Sequence, residues 1–403
     1  MAPMSTPATA PLLLADTGLP MPDYGGGSIV NLMASLLRAR GGEADYPNLR
    51  LLPPEAIRDY TNILLLVIDG LGANWLAERS PNGILSRHQL GAITSVFPTT
   101  TAAAITTFLT GDAPQQHGIT GWFTYFRELG CVMSVLPGHP RYGGVGYRQA
   151  GVDLATLLGP RPLASRIRTR AFFLTPAKIA HSDFNLAYLG PAQARPFTDL
   201  RDMFRQAGRI LRADAGPKYL YLYWPGLDSR GHEAGMASPL AAGHLAAIEE
   251  ALTDFLVASA GTDTLVLVTA DHGLIDTAPA DRLDLADHPE LAACLSLPLC
   301  GEPRAAFCYL RPRRVRAFED YCQQVLGGHA LARPSEELFQ LGLFGRGEPH
   351  PRLHERIGDY SLLMRGRSVL RDHLPSEKRF VQIGVHGGLS ETELLVPLCR
   401  FRT

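Results

Sequence analysis

The sequence predicts a three-layer α/β fold, a largely parallel central sheet flanked by helices with cap-like excursions, and three observations carry that expectation. Short apolar runs rich in branched residues, 62-NILLLVI-68, 218-KYLYLYW-224 and 264-TLVLVT-269, have the length and composition of strands buried on both faces. Between the last two, 239-PLAAGHLAAIEEALTDFLVASAG-261 repeats Leu240, His244, Leu245, Ile248, Leu252, Phe255 and Leu256 at helical spacing, with Glu249, Glu250 and Asp254 on the other face. Strand, helix and strand in that order form a crossover unit, which Gly261 is placed to close. Each apolar run also leads into an acid: Asp69 in VIDGLG, Asp228 in WPGLDSRGH and Asp271 in TADHG.

From the N-terminus, residues 1–20 are biased to proline and alanine and read as a flexible start. After the first strand, GAITSVF reads as another strand, Pro98 breaks it, and AAAITTFL continues as a helix of small and apolar residues. Residues 121–200 and 276–380 are rich in Pro, Gly and Arg with little periodicity, and are expected to be excursions that cap the sheet's ligand-binding edge or decorate the surface. No internal repeat is visible, and a chain of this length reads as one elaborated domain or two.

Composition narrows the partners. With 403 residues, 46% of them hydrophobic, the chain can bury a large core. Its 38 basic and 39 acidic residues leave a net charge of -1, so no global field draws it to nucleic acid or an anionic membrane, and any anion site is built locally. Six cysteines without a CxxC pair indicate neither a zinc finger nor a disulfide framework. The start MAPMSTPATAPLLLADTGLP makes a poor signal peptide, and no run reaches the roughly 18 apolar residues of a membrane span. A cytoplasmic protein is expected.

In an open α/β sheet, ligands bind at the C-terminal strand edge. One aspartate there is often only a helix cap, but three converging carboxylates need positive charge among them. Histidines accompany them: His232 four residues after Asp228, His272 beside Asp271, and His386 in GVHGGLS. Mixed carboxylate and imidazole donors suit Zn²⁺ or Mn²⁺ better than Ca²⁺ or Mg²⁺. Six donors are too many for one tetrahedral ion and about right for two ions with open positions. His117, His181, Asp183 and His244 lack strand-end placement and are expected to be structural.

A threonine run, 98-PTTT-101, opens the following helix, where a hydroxyl would meet both a metal and unpaired backbone N–H groups. The residues alone leave Thr100 and Thr101 equal as candidate nucleophiles.

The order DG, PTTT with a downstream TG and HGI, DSRGH, ADHG and HGG resembles the alkaline phosphatase superfamily, nearest its type I phosphodiesterase and nucleotide pyrophosphatase branch, across residues 62–118, 218–276 and 384–398. That resemblance implies a single alkaline phosphatase-like catalytic domain over residues 1–403. It implies Thr101 as nucleophile, placed by Thr110-Gly111, and one ion on Asp69, Asp271, His272 and the Thr101 oxygen. A second ion falls to Asp228, His232 and His386, and zinc is the usual metal at both. The implied activity is metal-dependent hydrolysis of a small phosphorylated molecule, as a phosphodiesterase or nucleotide pyrophosphatase. A phosphonate hydrolase or phosphomonoesterase is the alternative within the superfamily, and a catalytically idle phospholigand-binding protein the alternative outside it.

The chain departs from the branch where Phe-Pro-Asn usually follows the nucleophile: here stand Ala102, Ala103 and Ala104, which offer neither a nucleobase platform nor an amide. Tyr223 matches an aromatic of that branch on the substrate side. No arginine adjoins Thr101 to neutralise a dianionic monoester, though Arg166, Arg168 or Arg170 could reach in from an excursion. The C-x-P-x-R context of a sulfatase is absent.

Overall fold

In the computed structural model, which describes residues 12–15, 17–375, 377 and 381–403, the three apolar runs are the middle of a seven-stranded sheet. Most of the expected flexible start, residues 1–11 and 16, lies outside the described residues. The Asn62–Ile68 strand pairs in parallel with Lys218–Trp224 on one side and Thr264–Thr269 on the other. All its residues are buried, because helices cover both faces, and this is why the run is continuously apolar rather than alternating. At one edge Leu395–Arg402 runs antiparallel between Thr264–Thr269 and Gln89–Thr94. The sheet is thus mostly parallel, as expected.

The expected excursion 121–200 divides in two. Arg170–Pro176 and Gln193–Phe197 add two parallel strands to the central sheet beyond Lys218–Trp224. Their apolar centre, Ala171 to Leu174, is short and lies between arginines and a proline, so composition masked a core strand. The other part, Phe123–Phe126, Cys131–Ser134 and His139–Pro140, joins strands from the 276–380 excursion. Together with Cys300–Glu302, Ala305–Cys308, Tyr360–Met364 and Ala330–Pro334 they form a second, antiparallel seven-stranded sheet.

The crossover helix Pro239–Ala258 packs through Ala241, Leu245, Ile248, Leu252 and Phe255. Leu240, expected on that face, is 44% exposed at the first turn of the helix. Ser259 ends the helix, and Gly261 takes a φ of 79° two residues later.

One buried ion pair fastens the second sheet to the first. Arg304, in the hairpin between Cys300–Glu302 and Ala305–Cys308, donates from Nε and Nη2 to the two oxygens of Glu393 at 3.1 and 2.8 Å. Glu393 lies on the turn that feeds the Leu395–Arg402 strand, and both side chains are fully buried. Burial alone would raise the Glu393 carboxyl, but Arg304 holds it below the usual range. Among the described residues no helix is long and apolar enough to cross a membrane.

Candidate metal and nucleophile site

The parallel ladder itself assembles the first two acids. Past the strand end the Asp69 N–H donates to Trp224 O at 3.0 Å, and the Asp228 N–H donates to Asp69 O at 3.1 Å. Gly70 makes this approach possible: its φ is 79°, and a Cβ there would lie 3.1 Å from the Asp228 backbone and 2.4 Å from Leu274. Asp271 is brought alongside by the next strand, where its Oδ1 accepts from the N–H groups of Gly70 and His272 at 3.1 and 3.0 Å.

One oxygen of each acid is left over. Asp69 Oδ1, Asp228 Oδ1 and Asp271 Oδ2 are buried without any hydrogen-bond partner. Such groups are costly in a protein interior unless something positive faces them. Burial, with Asp271 and Asp228 close by, pushes the Asp69 carboxyl well above its ordinary range. Burial also raises Asp228, against the opposing pull of His232 and His272.

The three histidines share one arrangement. Nδ1 of His232 faces Gly384 O at 2.7 Å, Nδ1 of His272 faces Gly273 O at 3.1 Å, and Nδ1 of His386 faces Thr99 O at 3.1 Å. A carbonyl accepts only from N–H, so each ring is held with its Nε2 lone pair free to coordinate. Burial, then His272 and His232, keep His386 well below its ordinary value and hence neutral.

Donor atoms of Asp69, Asp271 and His272 lie within 4.8 Å of one another, as do those of Asp228, His272 and His386. His272 belongs to both groups, and its ring stacks on His386 with centroids 3.8 Å apart. One lone pair serves one ion, however. If His272 serves the first, Asp228 and His386 need a third donor, and His232 Nε2 stands 3.2 Å from Asp228 Oδ2. The unpartnered oxygens and oriented imidazoles therefore fit two divalent ions.

A pH dependence follows from the raised acids. A carboxyl whose folded pKa is raised contributes stability below the unfolded value of about 4 and loses it as pH rises through the folded value. Metal binds the deprotonated carboxylates and neutral imidazoles, and so offsets that loss. The rise in unfolding temperature on adding Zn²⁺ to chelated protein should grow from pH 5 to pH 8 by scanning fluorimetry; a rise that shrinks over that range would contradict the donor set.

The three threonines have three separate partners. Thr99 Oγ1 donates to Gly388 O at 2.7 Å and accepts from Gly387 N at 3.2 Å, tying down the His386 loop. Thr100 Oγ1 donates to Glu302 Oε1 at 2.6 Å. Thr101, the first residue of the helix Thr101–Thr110, has its Oγ1 3.2 Å from His272 Nε2. Of the three, Thr101 alone lines a cleft of about 610 Å³ that also includes Asp228, His232, His386, Trp122 and Glu302.

Other expectations resolve as follows. Tyr223, read as a substrate-side aromatic, is buried and donates its hydroxyl to Asp69 Oδ2, so its contact is with a candidate ligand side chain. Arg166 is engaged with Asp112 at the far end of the threonine helix, Arg170 pairs with Asp214, and neither these nor Arg168 lines the cleft. An arginine from the same excursion does line it: Arg141, saturated by Asp372 and Glu377. His117 accepts from Ile119 N at 3.1 Å, His244 accepts from the Trp224 indole at 3.0 Å, and Asp183 pairs with Arg148 at 2.8 Å. These three and His181 lie away from the cleft. Glu302 was not foreseen: burial pushes its carboxyl up to about 7, against the Thr100 hydroxyl and Trp122 N–H that it accepts.

A model of the type I phosphodiesterase/nucleotide pyrophosphatase family matches residues 63–374. No curated protein sequence matches the chain. Among solved structures, murine ectonucleotide pyrophosphatase/phosphodiesterase 5 is similar with a TM-score of 0.63 at 15% identity, covering 83% of this chain and 87% of that one. An inactive threonine-to-alanine variant of that murine protein, in complex with AMP, gives 0.61 at 15% identity over the same shares, 83% and 87%. Phosphonoacetate hydrolase from Sinorhizobium meliloti, in complex with phosphonoformate, gives 0.60 at 18% identity, covering 84% and 89%. At these identities the likeness is one of fold.

Proposed function

Because the chain belongs to the type I phosphodiesterase/nucleotide pyrophosphatase family, and is thereby a hydrolase of phosphoric esters, we propose that it cleaves a small phosphodiester through Thr101. The observation that carries this reading is the position of the Thr101 hydroxyl, 3.2 Å from His272 Nε2 at the start of a helix and beside three unpartnered carboxylate oxygens. Asp69, Asp271 and His272 would hold one divalent ion and Asp228, His232 and His386 the other, with zinc as the favoured metal. Such ions lower the pKa of hydroxyl groups and water and neutralise charge on a departing oxygen.

The residues divide the remaining work. Thr101 Oγ bonds to phosphorus while the bond from phosphorus to the leaving oxygen breaks, that oxygen keeping the electron pair. The proton lost by the threonine balances the one gained by the leaving group. Water then attacks phosphorus, the threonine ester breaks, and the hydroxyl is restored. Throughout, the first N–H groups of the Thr101–Thr110 helix face the phosphoryl oxygens. Tyr223 fixes one oxygen of Asp69 and so orients the other.

A diester is favoured over a monoester by charge. Of the two arginines among the described residues that line the cleft, Arg141 and Arg371, the first is already neutralised by Asp372 and Glu377, and Glu302 and Asp228 add acidic groups that disfavour a dianion. The murine AMP complex makes nucleotide esters the first substrates to assay, although Ala102, Ala103 and Ala104 are fully buried and form no base platform. Six unpaired thiols support a cytoplasmic setting.

The test is turnover of bis-p-nitrophenyl phosphate and p-nitrophenyl phosphate, with and without chelator, and of phosphonoacetate in parallel. The diester is expected to react at least about tenfold faster than the monoester, and chelation to stop both. Turnover indifferent to chelation would overturn the metal assignment. Turnover of phosphonoacetate alone would move the assignment to carbon–phosphorus hydrolysis, the activity named for the Sinorhizobium neighbour.

A further inference from the structure

Thr100 stands at the N-cap of the nucleophile helix with extended backbone angles, φ -139° and ψ 149°, which is where a threonine ordinarily turns its hydroxyl back onto the helix. It does not do so: no side chain caps this helix. The hydroxyl is committed to Glu302 Oε1 at 2.6 Å, and the same oxygen accepts the Trp122 N–H at 2.7 Å. Glu302 belongs to the second sheet, is 7% exposed and lines the cleft beside Thr101. Gly387, next to His386, leaves it room, since a Cβ there would lie 2.4 Å from the Glu302 Cβ.

Resting on the reading of Thr101 as nucleophile, we infer that Glu302 is a positioning residue that draws the Thr100 hydroxyl away from the helix start, keeping its first N–H groups open for a phosphoryl oxygen. A capping hydroxyl accepts from the second or third N–H of the helix, here Ala102 or Ala103. Those donors would otherwise meet the charge that develops on phosphorus. The second sheet thereby acts on catalysis through Thr100, without touching the reacting atoms.

The test is a set of variants assayed as full-length, zinc-loaded protein on bis-p-nitrophenyl phosphate. Glu302→Ala releases Thr100 to cap the helix, and kcat/KM should fall about a hundredfold, the low end of the range for losing one oxyanion donor. Adding Thr100→Val to Glu302→Ala removes the competing hydroxyl and should restore at least about tenfold of that loss. Glu302→Gln keeps an acceptor oxygen and should stay well above Glu302→Ala. A purely structural Glu302 would give a double variant no faster than Glu302→Ala, and that result overturns the inference, as does Glu302→Ala at the parent rate. Thr101→Ala, run alongside, separates the two claims: if it remains active the nucleophile reading fails, and if it is dead while the double variant is not rescued, only the role of Glu302 fails.

Discussion

Replacing Thr101 with alanine is expected to lower kcat by at least about a thousandfold while leaving metal content near two per chain. The hydroxyl is the one threonine oxygen of the run that faces the cleft, and its neighbours cannot stand in for it. Thr99 is spent on the Gly387–Gly388 backbone and Thr100 on Glu302. The change also costs little in structure, because Thr101 sits at the end of the helix with its hydroxyl on His272 and no backbone group depends on it. Metal analysis and the unfolding temperature should therefore stay close to the parent's. Residual turnover within tenfold of the parent would remove Thr101 from the chemistry.

The second large effect concerns His272. Its Nε2 is near Asp69, Asp271 and Thr101 at once, at 3.5, 3.5 and 3.2 Å. His272→Ala should reduce metal content from about two ions per chain to about one and lower kcat by a factor on the order of a thousand or more. His232→Ala should lose the other ion, since its Nε2 adjoins Asp228. Measured metal stoichiometry decides between arrangements: a His272→Ala chain that loses both ions would show that the two groups sharing this imidazole cannot fill separately. One that keeps both would remove His272 from the ligand set.

How much of this was legible in the sequence depended on whether the signal was local. The three central strands are continuous apolar runs, and the acids that follow them are placed by chain continuity, so Asp69, Asp228 and Asp271 could be read directly. His232 and His272 are within four residues of those acids. His386 was found only through its glycine-rich setting. By contrast, Arg170–Pro176 looked like loop because its apolar centre is short and its flanks are charged. Glu302 carries no signal at all in the sequence around it: it matters because a second sheet, built from segments more than 150 residues apart, sets it against Thr100. Tyr223 shows the same limit, since its hydroxyl was legible and its partner was not.

The pairing of Arg304 with Glu393 has a consequence for how substrate enters. Lifting the second sheet from the first would break both hydrogen bonds of this fully buried ion pair. Substrate is therefore expected to enter through the cleft as it stands, without the two sheets parting.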